Sequence, residues 1–216
     1  MPSSSDRGAP DVTRASGRPA TVQRRRIERT EAILGAAEAL LAEQGYRAAT
    51  LRAIGERAGI PTSSVYHYFG DRDQVDAELL RRHLAALRER ITARLNAREL
   101  RTVRDAVDAV VDPLLAHGRR TPAFVRLWRE KTAPLVELGR EFDESLAERT
   151  RRVLVDHALI RPDTPLLAVQ LAFEAGDRLF DVAFERSRRG DTATVDEARR
   201  LVTAYLETYA PPAPGN

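Results

Sequence analysis

Residues 45–72 read GYRAATLRAIGERAGIPTSSVYHYFGDR, and the architecture can be read outward from this stretch. Leu51 and Ile54 fall on one side of a short helix, about Leu51 to Ala58, with Thr50 as its N-terminal cap. Gly59 ends it, because glycine enters the left-handed backbone region without a Cβ clash. A second short helix begins near Pro61, where a missing N–H costs nothing, and runs to about Tyr68. Gly70 breaks it, and Asp71 can cap the next helix. Two short helices joined by a tight turn make a helix-turn-helix. In that geometry the first helix braces across the phosphate backbone and the second offers side chains to base edges in the major groove. Thr62, Ser63 and Ser64 are small and polar, so they permit close approach and hydrogen bonding. Tyr66, His67 and Tyr68 each carry a polar tip that can reach a phosphate. Val65 and Phe69 lie four apart and face the core. A helical corner of an unrelated α protein is the alternative, and the run Tyr-His-Tyr-Phe argues against it.

The helical period continues on both sides. Upstream, Ile27, Ile33, Leu34, Ala37, Leu40 and Leu41 form one apolar stripe of a first helix, about Val22 to Gln44. Downstream, a fourth helix covers about Asp71 to Leu95 and a fifth about Leu100 to His117, which Pro113 should kink or cut short. Thr121-Pro122 starts a sixth helix, Pro134 a seventh reaching about Leu159, and Thr164-Pro165 an eighth reaching about Ser187. The ninth covers about Val195 to Tyr209. The expected fold is all-α, about nine helices: an N-terminal three-helix helix-turn-helix head (21–70) and a C-terminal helical body (71–210). Disordered tails are expected at 1–20, rich in Ser, Gly, Pro and Asp, and at 211–216.

The chain has 216 residues, with 43% hydrophobic and 31% charged, which suits a globular protein with a sizeable core. It has no cysteine, which excludes disulfides, thiolate metal sites and cysteine catalysis. No apolar run approaches the roughly 18 residues a membrane helix needs, and the N-terminus lacks a secretory apolar stretch, so a cytoplasmic protein is expected. Residues 1–95 hold 16 Arg/Lys against 12 Asp/Glu, and the remainder holds 19 against 20. That mild bias suggests an anionic partner near the N-terminus. His67, His83, His117 and His157 have no metal-ligand spacing among them, no phosphate loop or nucleophile–base set is present, and no enzyme activity, cofactor or metal is expected.

At Gly45, Tyr46, Thr50, Leu51, Ile54, Ala58, Gly59, Ile60, Tyr66, Tyr68, Phe69 and Arg72 the sequence resembles the tetracycline-repressor (TetR) family of bacterial transcription regulators. The motif covers about a quarter of the chain. The resemblance implies that Thr50, Arg52, Thr62, Ser63, Ser64, Tyr66, His67, Tyr68 and Arg72 contact operator DNA, with Tyr66, Tyr68 and Arg72 on phosphates. Arg24, Arg25 and Arg26, before or at the start of the first helix, offer further phosphate or minor-groove contacts. Three departures from the family pattern stand out. Gly55 replaces the usual alanine and should weaken the bracing helix by up to about 1 kcal/mol. Ser63 and Thr62 stand where glycine and lysine are common and alter base readout.

The resemblance also implies that the body dimerises and holds a small effector. The eighth helix is apolar on two faces, one with Val169, Phe173, Gly176, Phe180 and Phe184, the other with Leu167, Leu171, Ala175, Leu179 and Val182. A helix apolar on both sides is buried on both, by its own core and a second subunit or by its own chain alone. Val169, Gly176, Phe180 and Phe184, with Val202 and Tyr205 of the ninth helix, are the expected dimer interface. Leu84, Leu87, Phe124, Leu127, Trp128, Phe142, Phe173 and Asp177 are the expected effector site, for an apolar or amphipathic molecule. The expected partners are double-stranded operator DNA, a second copy of the chain and an effector, with no membrane. The expected activity is a repressor released from a palindromic operator; an α-helical protein-interaction module without DNA binding is the alternative.

Overall fold

The computed structural model describes residues 18–97 and 100–212. Among the described residues there are nine helices and no strand: α1 (Arg18–Gln44), α2 (Leu51–Ala58), α3 (Thr62–Tyr68), α4 (Arg72–Leu95), α5 (Val103–Arg120), α6 (Pro122–Arg129), α7 (Ala133–Asp156), α8 (Leu166–Arg186) and α9 (Thr192–Glu207). The fold is all-α, as the periodicity requires. Residues 1–17 and 213–216 of the expected tails lie outside the described residues, and 18–20 open α1.

The short helices obey local chemistry. Thr50 Oγ1 accepts the Ala53 N–H at 3.2 Å and starts α2, and Gly59 ends it at φ 65°. Asp71 accepts the Gln74 N–H at 2.8 Å and starts α4. The start of α5 moves to Val103 because Thr102 and Asp105 form a reciprocal capping box. Contrary to expectation, α5 continues through Pro113 to Arg120. Pro113 forfeits one backbone hydrogen bond, but it is buried, and α5 packs against α4, α6, α7 and α9, which together hold the helix. Thr164-Pro165 precedes α8, with Pro165 in the cap position.

In the head, Ile33, Ala37, Leu41, Ile54 and Val65 are fully buried, and each fully buried aliphatic side chain of valine, leucine or isoleucine size contributes roughly 1.5–3 kcal/mol. Ile27, expected on the same stripe, is exposed, because the first turns of α1 run beyond the elements it packs on. Gly55 reverses its expected effect. A Cβ there would lie 2.8 Å from the Ile60 carbonyl oxygen and 3.2 Å from Val65 Cγ2, so glycine is what lets α3 pack this closely on α2.

In the body, α4 packs on α5 and α7, α8 on α7 and α9, and α9 on α5. Arg199 of α9 is buried and pairs with both Asp108 and Asp112 of α5, at 2.6 Å for Asp112. Between α4 and α5 lies a buried histidine pair. Arg90 Nη1 is 3.3 Å from His117 Nδ1, and His117 Nε2 is 3.2 Å from His83 Nδ1. A guanidinium only donates, so His117 accepts at Nδ1, donates from Nε2 to His83, and leaves His83 Nε2–H facing Glu38 of α1 at 3.8 Å. Burial holds both imidazoles down, to about 4 in each case, and at His117 the neighbouring His83 and Arg90 add to it.

Gly55 and the histidine pair each give a measurable outcome. Gly55→Ala raises helix propensity by about 1 kcal/mol, but the overpacking against backbone costs about 1–3 kcal/mol, so urea unfolding should show a net loss of stability. An unchanged or higher midpoint would contradict the close α2–α3 contact. For the histidines, the folded values lie below the ordinary unfolded value of about 6.5, so their stabilisation is complete above that pH and fades as pH falls toward 4. The double variant His83→Gln/His117→Gln should therefore lose less melting temperature than the natural chain between pH 7 and pH 5. Parallel slopes would show that the pair titrates normally.

Candidate nucleic-acid interface and body cavity

Helix α3 is set by what it buries. Val65 and Phe69 enter the head core, and this turns Ser63, Tyr66 and His67 outward, with Tyr66 54% exposed. Thr62, Ser64 and Tyr68 are half-buried, and the Tyr68 ring packs on the core while its edge meets His67 at 5.7 Å. Helix α3 (TSSVYHY) contains no carboxylate to oppose an anion. Thr50 and Arg52 are exposed, Thr50 as the cap of the neighbouring α2 and Arg52 within it. Arg52 Nε donates to Glu56 at 2.8 Å, an open surface pair that a phosphate can replace. Arg24, Arg25 and Arg26 are exposed on α1, Arg24 paired with Glu28.

Arg72 departs from the expected phosphate grip. Its Nε donates to Asp76 at 2.7 Å, its guanidinium lies 4.6 Å from the Tyr46 ring centroid, and its side chain is only 19% exposed. Asp76 is fully buried, close to the Tyr46 phenol. Burial raises the Asp76 carboxyl, with the Arg72 hydrogen bond opposing that rise, and burial beside Asp76 pushes the Tyr46 phenol well up. The physical cause of this correction is simple: a buried carboxylate one turn away draws the guanidinium inward. The Arg72–Asp76 spacing of four was the available sequence signal, but nothing in the sequence marked Asp76 as buried.

The body encloses a cavity of about 90 Å³ between α4, α5, α6, α7, α8 and α9. Of the residues expected at the effector site, Trp128, Phe142, Phe173 and Asp177 line it. Leu84, Leu87, Phe124 and Leu127 do not; they are packed into solid core, with Phe124, Leu87 and Leu127 fully buried. Sequence reasoning missed Asp143 of α7, which also lines the cavity and interacts with Asp177 of α8. Burial raises Asp143 to about 7 and, together with Asp143, raises Asp177 well above the carboxylate range. No single-helix pattern could have revealed a pair contributed by two helices.

The face of α8 expected at a dimer interface is turned largely into the chain itself. Val169, Phe180 and Phe184 are buried in the chain's own core, Phe180 and Phe184 tilted together at 4.6 Å, and so are not on an outward surface. Gly118 of α5 makes room for them, since a Cβ there would meet Phe184 Cζ at 2.7 Å. Gly176 and Val202 line the cavity, and Tyr205 is half-buried against Tyr209. The outward apolar residues are Leu167 (60% exposed) and Leu171 (50%) on α8 and Leu201 (51%) on α9. Among the described residues no helix is long and apolar enough to cross a membrane, and no cluster of three or more His, Asp or Glu could hold a metal ion.

The chain is similar to known proteins in sequence and in fold. The chain is 31% identical over 194 residues to the HTH-type transcriptional repressor KstR2 of Rhodococcus jostii, covering 85% of this chain and 92% of that one. It is 26% identical over 168 residues to the HTH-type transcriptional regulator BetI of Rhizobium meliloti, covering 78% and 74%. The crystal structure of a TetR-family transcriptional regulator from Streptomyces coelicolor superposes with a TM-score of 0.62 at 36% identity, over 84% of this chain and 99% of that one. Residues 33–79 match the family described as bacterial regulatory proteins, tetR family, and residues 102–206 match the tetracyclin repressor-like C-terminal domain. With a helix-turn-helix whose second helix faces outward and a helical body behind it, this chain belongs to the TetR family of DNA-binding transcriptional regulators.

Proposed function

We propose that the chain is a dimeric repressor that leaves a roughly palindromic operator when a small, mostly apolar effector enters the body cavity. The carrying observation is the outward face of α3, where Ser63, Tyr66 and His67 are exposed on a helix with no carboxylate. In this reading Thr62, Ser63, Ser64 and His67 meet base edges and groove walls, while Thr50, Arg52, Tyr66 and Tyr68 meet phosphates. Arg72 acts from inside, by fixing the head to α4. The likeness to KstR2, named a repressor, favours repression.

In this reading dimerisation uses the exposed leucines Leu167 and Leu171 of α8 and Leu201 of α9. Two heads then address half-sites about 34–36 Å apart. Coupling runs along α4. It meets the head at Arg72, over the Tyr46 ring, and lines the cavity at Ile91, about 28 Å further along the helix axis at 1.5 Å per residue. An effector that prefers one tilt of α4 shifts the dimer toward heads spaced wrongly for the operator, with a coupling of typically about 1–3 kcal/mol.

In a mobility-shift series on DNA upstream of the protein's own gene, Tyr66→Ala should weaken binding about tenfold, and Arg52→Ala should lower the salt slope by about 1. Native-like folding with unchanged DNA affinity in both would reject the α2–α3 surface. Light scattering should give about twice the chain mass of 24.1 kDa, reduced to one chain by Leu171→Glu combined with Leu201→Glu. A persistent dimer in that variant would move the interface elsewhere.

A further inference from the structure

The cavity wall is almost wholly apolar, and that makes its few polar groups informative. Asp143 of α7 and Asp177 of α8 both line the cavity, close enough for each to act on the other's charge. Thr150 also lines the cavity, is 4% exposed, and its Oγ1 has no hydrogen-bond partner. Trp128 lines it too, is 7% exposed, and its Nε1–H has no partner either. Both of these atoms are covered by the wall itself, whereas Asp143 and Asp177 keep some accessible surface, so the carboxyl pair is the polar group a ligand in the cavity meets.

The chemistry of the set narrows the ligand. Two carboxyls this close in apolar surroundings share at least one proton, because both charges together would be too costly. Among the described residues no cation of the chain lines the cavity. Lys131, outside the lining and 3.8 Å from Asp181, reaches both carboxyls with its positive charge and lowers them, while Glu174 opposes it at Asp143 and Asp181 at Asp177. Arg88 of α4 lies 5.7 Å from the Phe142 ring. An anion would meet residual negative charge. A neutral molecule would leave the pair short of donors. An ammonium brings three donors and a positive charge, and the aromatic rings of Trp128, Phe142, Phe173 and Phe180 give its apolar part and its charge a favourable wall.

We propose that the cavity binds a small aryl-alkyl amine, its ammonium held by Asp143 and Asp177 and its ring against Trp128, Phe142 and Phe173. This rests on the effector reading above and names its ligand class. The ammonium replaces the shared proton of the carboxyl pair, so binding releases a proton and strengthens as pH rises through about 7, where Asp143 titrates. His83 and His117, held at about 4, stay neutral across that window.

Trp128 is the only tryptophan, so its fluorescence reports the cavity directly in the full chain. Benzylamine, benzyl alcohol and benzoate share a ring and differ in charge. Benzylamine should bind on the order of tenfold more tightly than benzyl alcohol, tighten further from pH 6 to pH 8, and benzoate should not bind. Asp177→Asn and, separately, Asp143→Asn should remove the preference for the amine while leaving the alcohol bound; two isosteric variants guard against one misfolding. An alcohol that binds as well as the amine, or an amine preference that survives both substitutions, overturns the ligand class and leaves the cavity as the effector site. No response to any of the three compounds also overturns it. Operator binding, measured by mobility shift in the same samples, tests the regulator reading independently.

Discussion

The buried carboxylate of Asp76 is the joint between head and body. A fully buried charge is tolerable only with a partner, and Asp76 has Arg72 at 2.7 Å. Arg72 opens α4 directly after the helix-turn-helix, and its guanidinium lies over the ring of Tyr46, in the link before α2. Within α4 the carboxylate therefore holds Arg72 in place over Tyr46, so that link rests on the first turn of α4. Removing one partner of such a pair leaves an uncompensated buried charge, which is why the joint is stiff. Stiffness matters because α4 is the helix shared by head and body. Any tilt of α4 in the body must be carried to α3.

A second contrast runs through the body. The Arg199 network satisfies its charges: one buried guanidinium meets Asp108 and Asp112, and those aspartates also meet Arg104 and Arg94. It behaves as structure, binding α9 to α5. The Asp143–Asp177 pair has the opposite character, like charges facing an apolar cavity without a cation in its lining. Evolution tolerates unsatisfied polarity mainly where function uses it. The histidine pair between α4 and α5 is a third case. Its two hydrogen bonds need both rings neutral, their direction is imposed by a guanidinium that cannot accept, and His83 Nε2 is left without a hydrogen-bond partner.

Glycine shows how a local rule can mislead. Helix propensity makes Gly55 a weakness in α2, yet the Ile60 carbonyl and Val65 occupy the space where a Cβ would stand. The residue is a packing requirement set by α3, and propensity scales contain no term for a neighbouring helix. Pro113 is the same lesson in reverse: a helix breaker by local rule, carried by four packed neighbours.

Everything governed by near neighbours was legible in the linear chain: the all-helical period, the caps at Thr50 and Asp71, the stop at Gly59, and the helix-turn-helix with Val65 and Phe69 inward and Tyr66 outward. These depend on interactions within about four residues, which a linear pattern records. Packing between helices settled the rest. It chose which face of α8 looks outward, turned Arg72 toward Asp76, put Leu84 and Phe124 in solid core while Phe173 lines a cavity, and brought Asp143 to Asp177. Each of those depends on which helices are placed side by side. Both faces of α8 are apolar, so hydrophobic pattern could not choose between them; the choice was made by the neighbouring helices, chiefly α7 and α9, covering one face and leaving Leu167 and Leu171 to solvent.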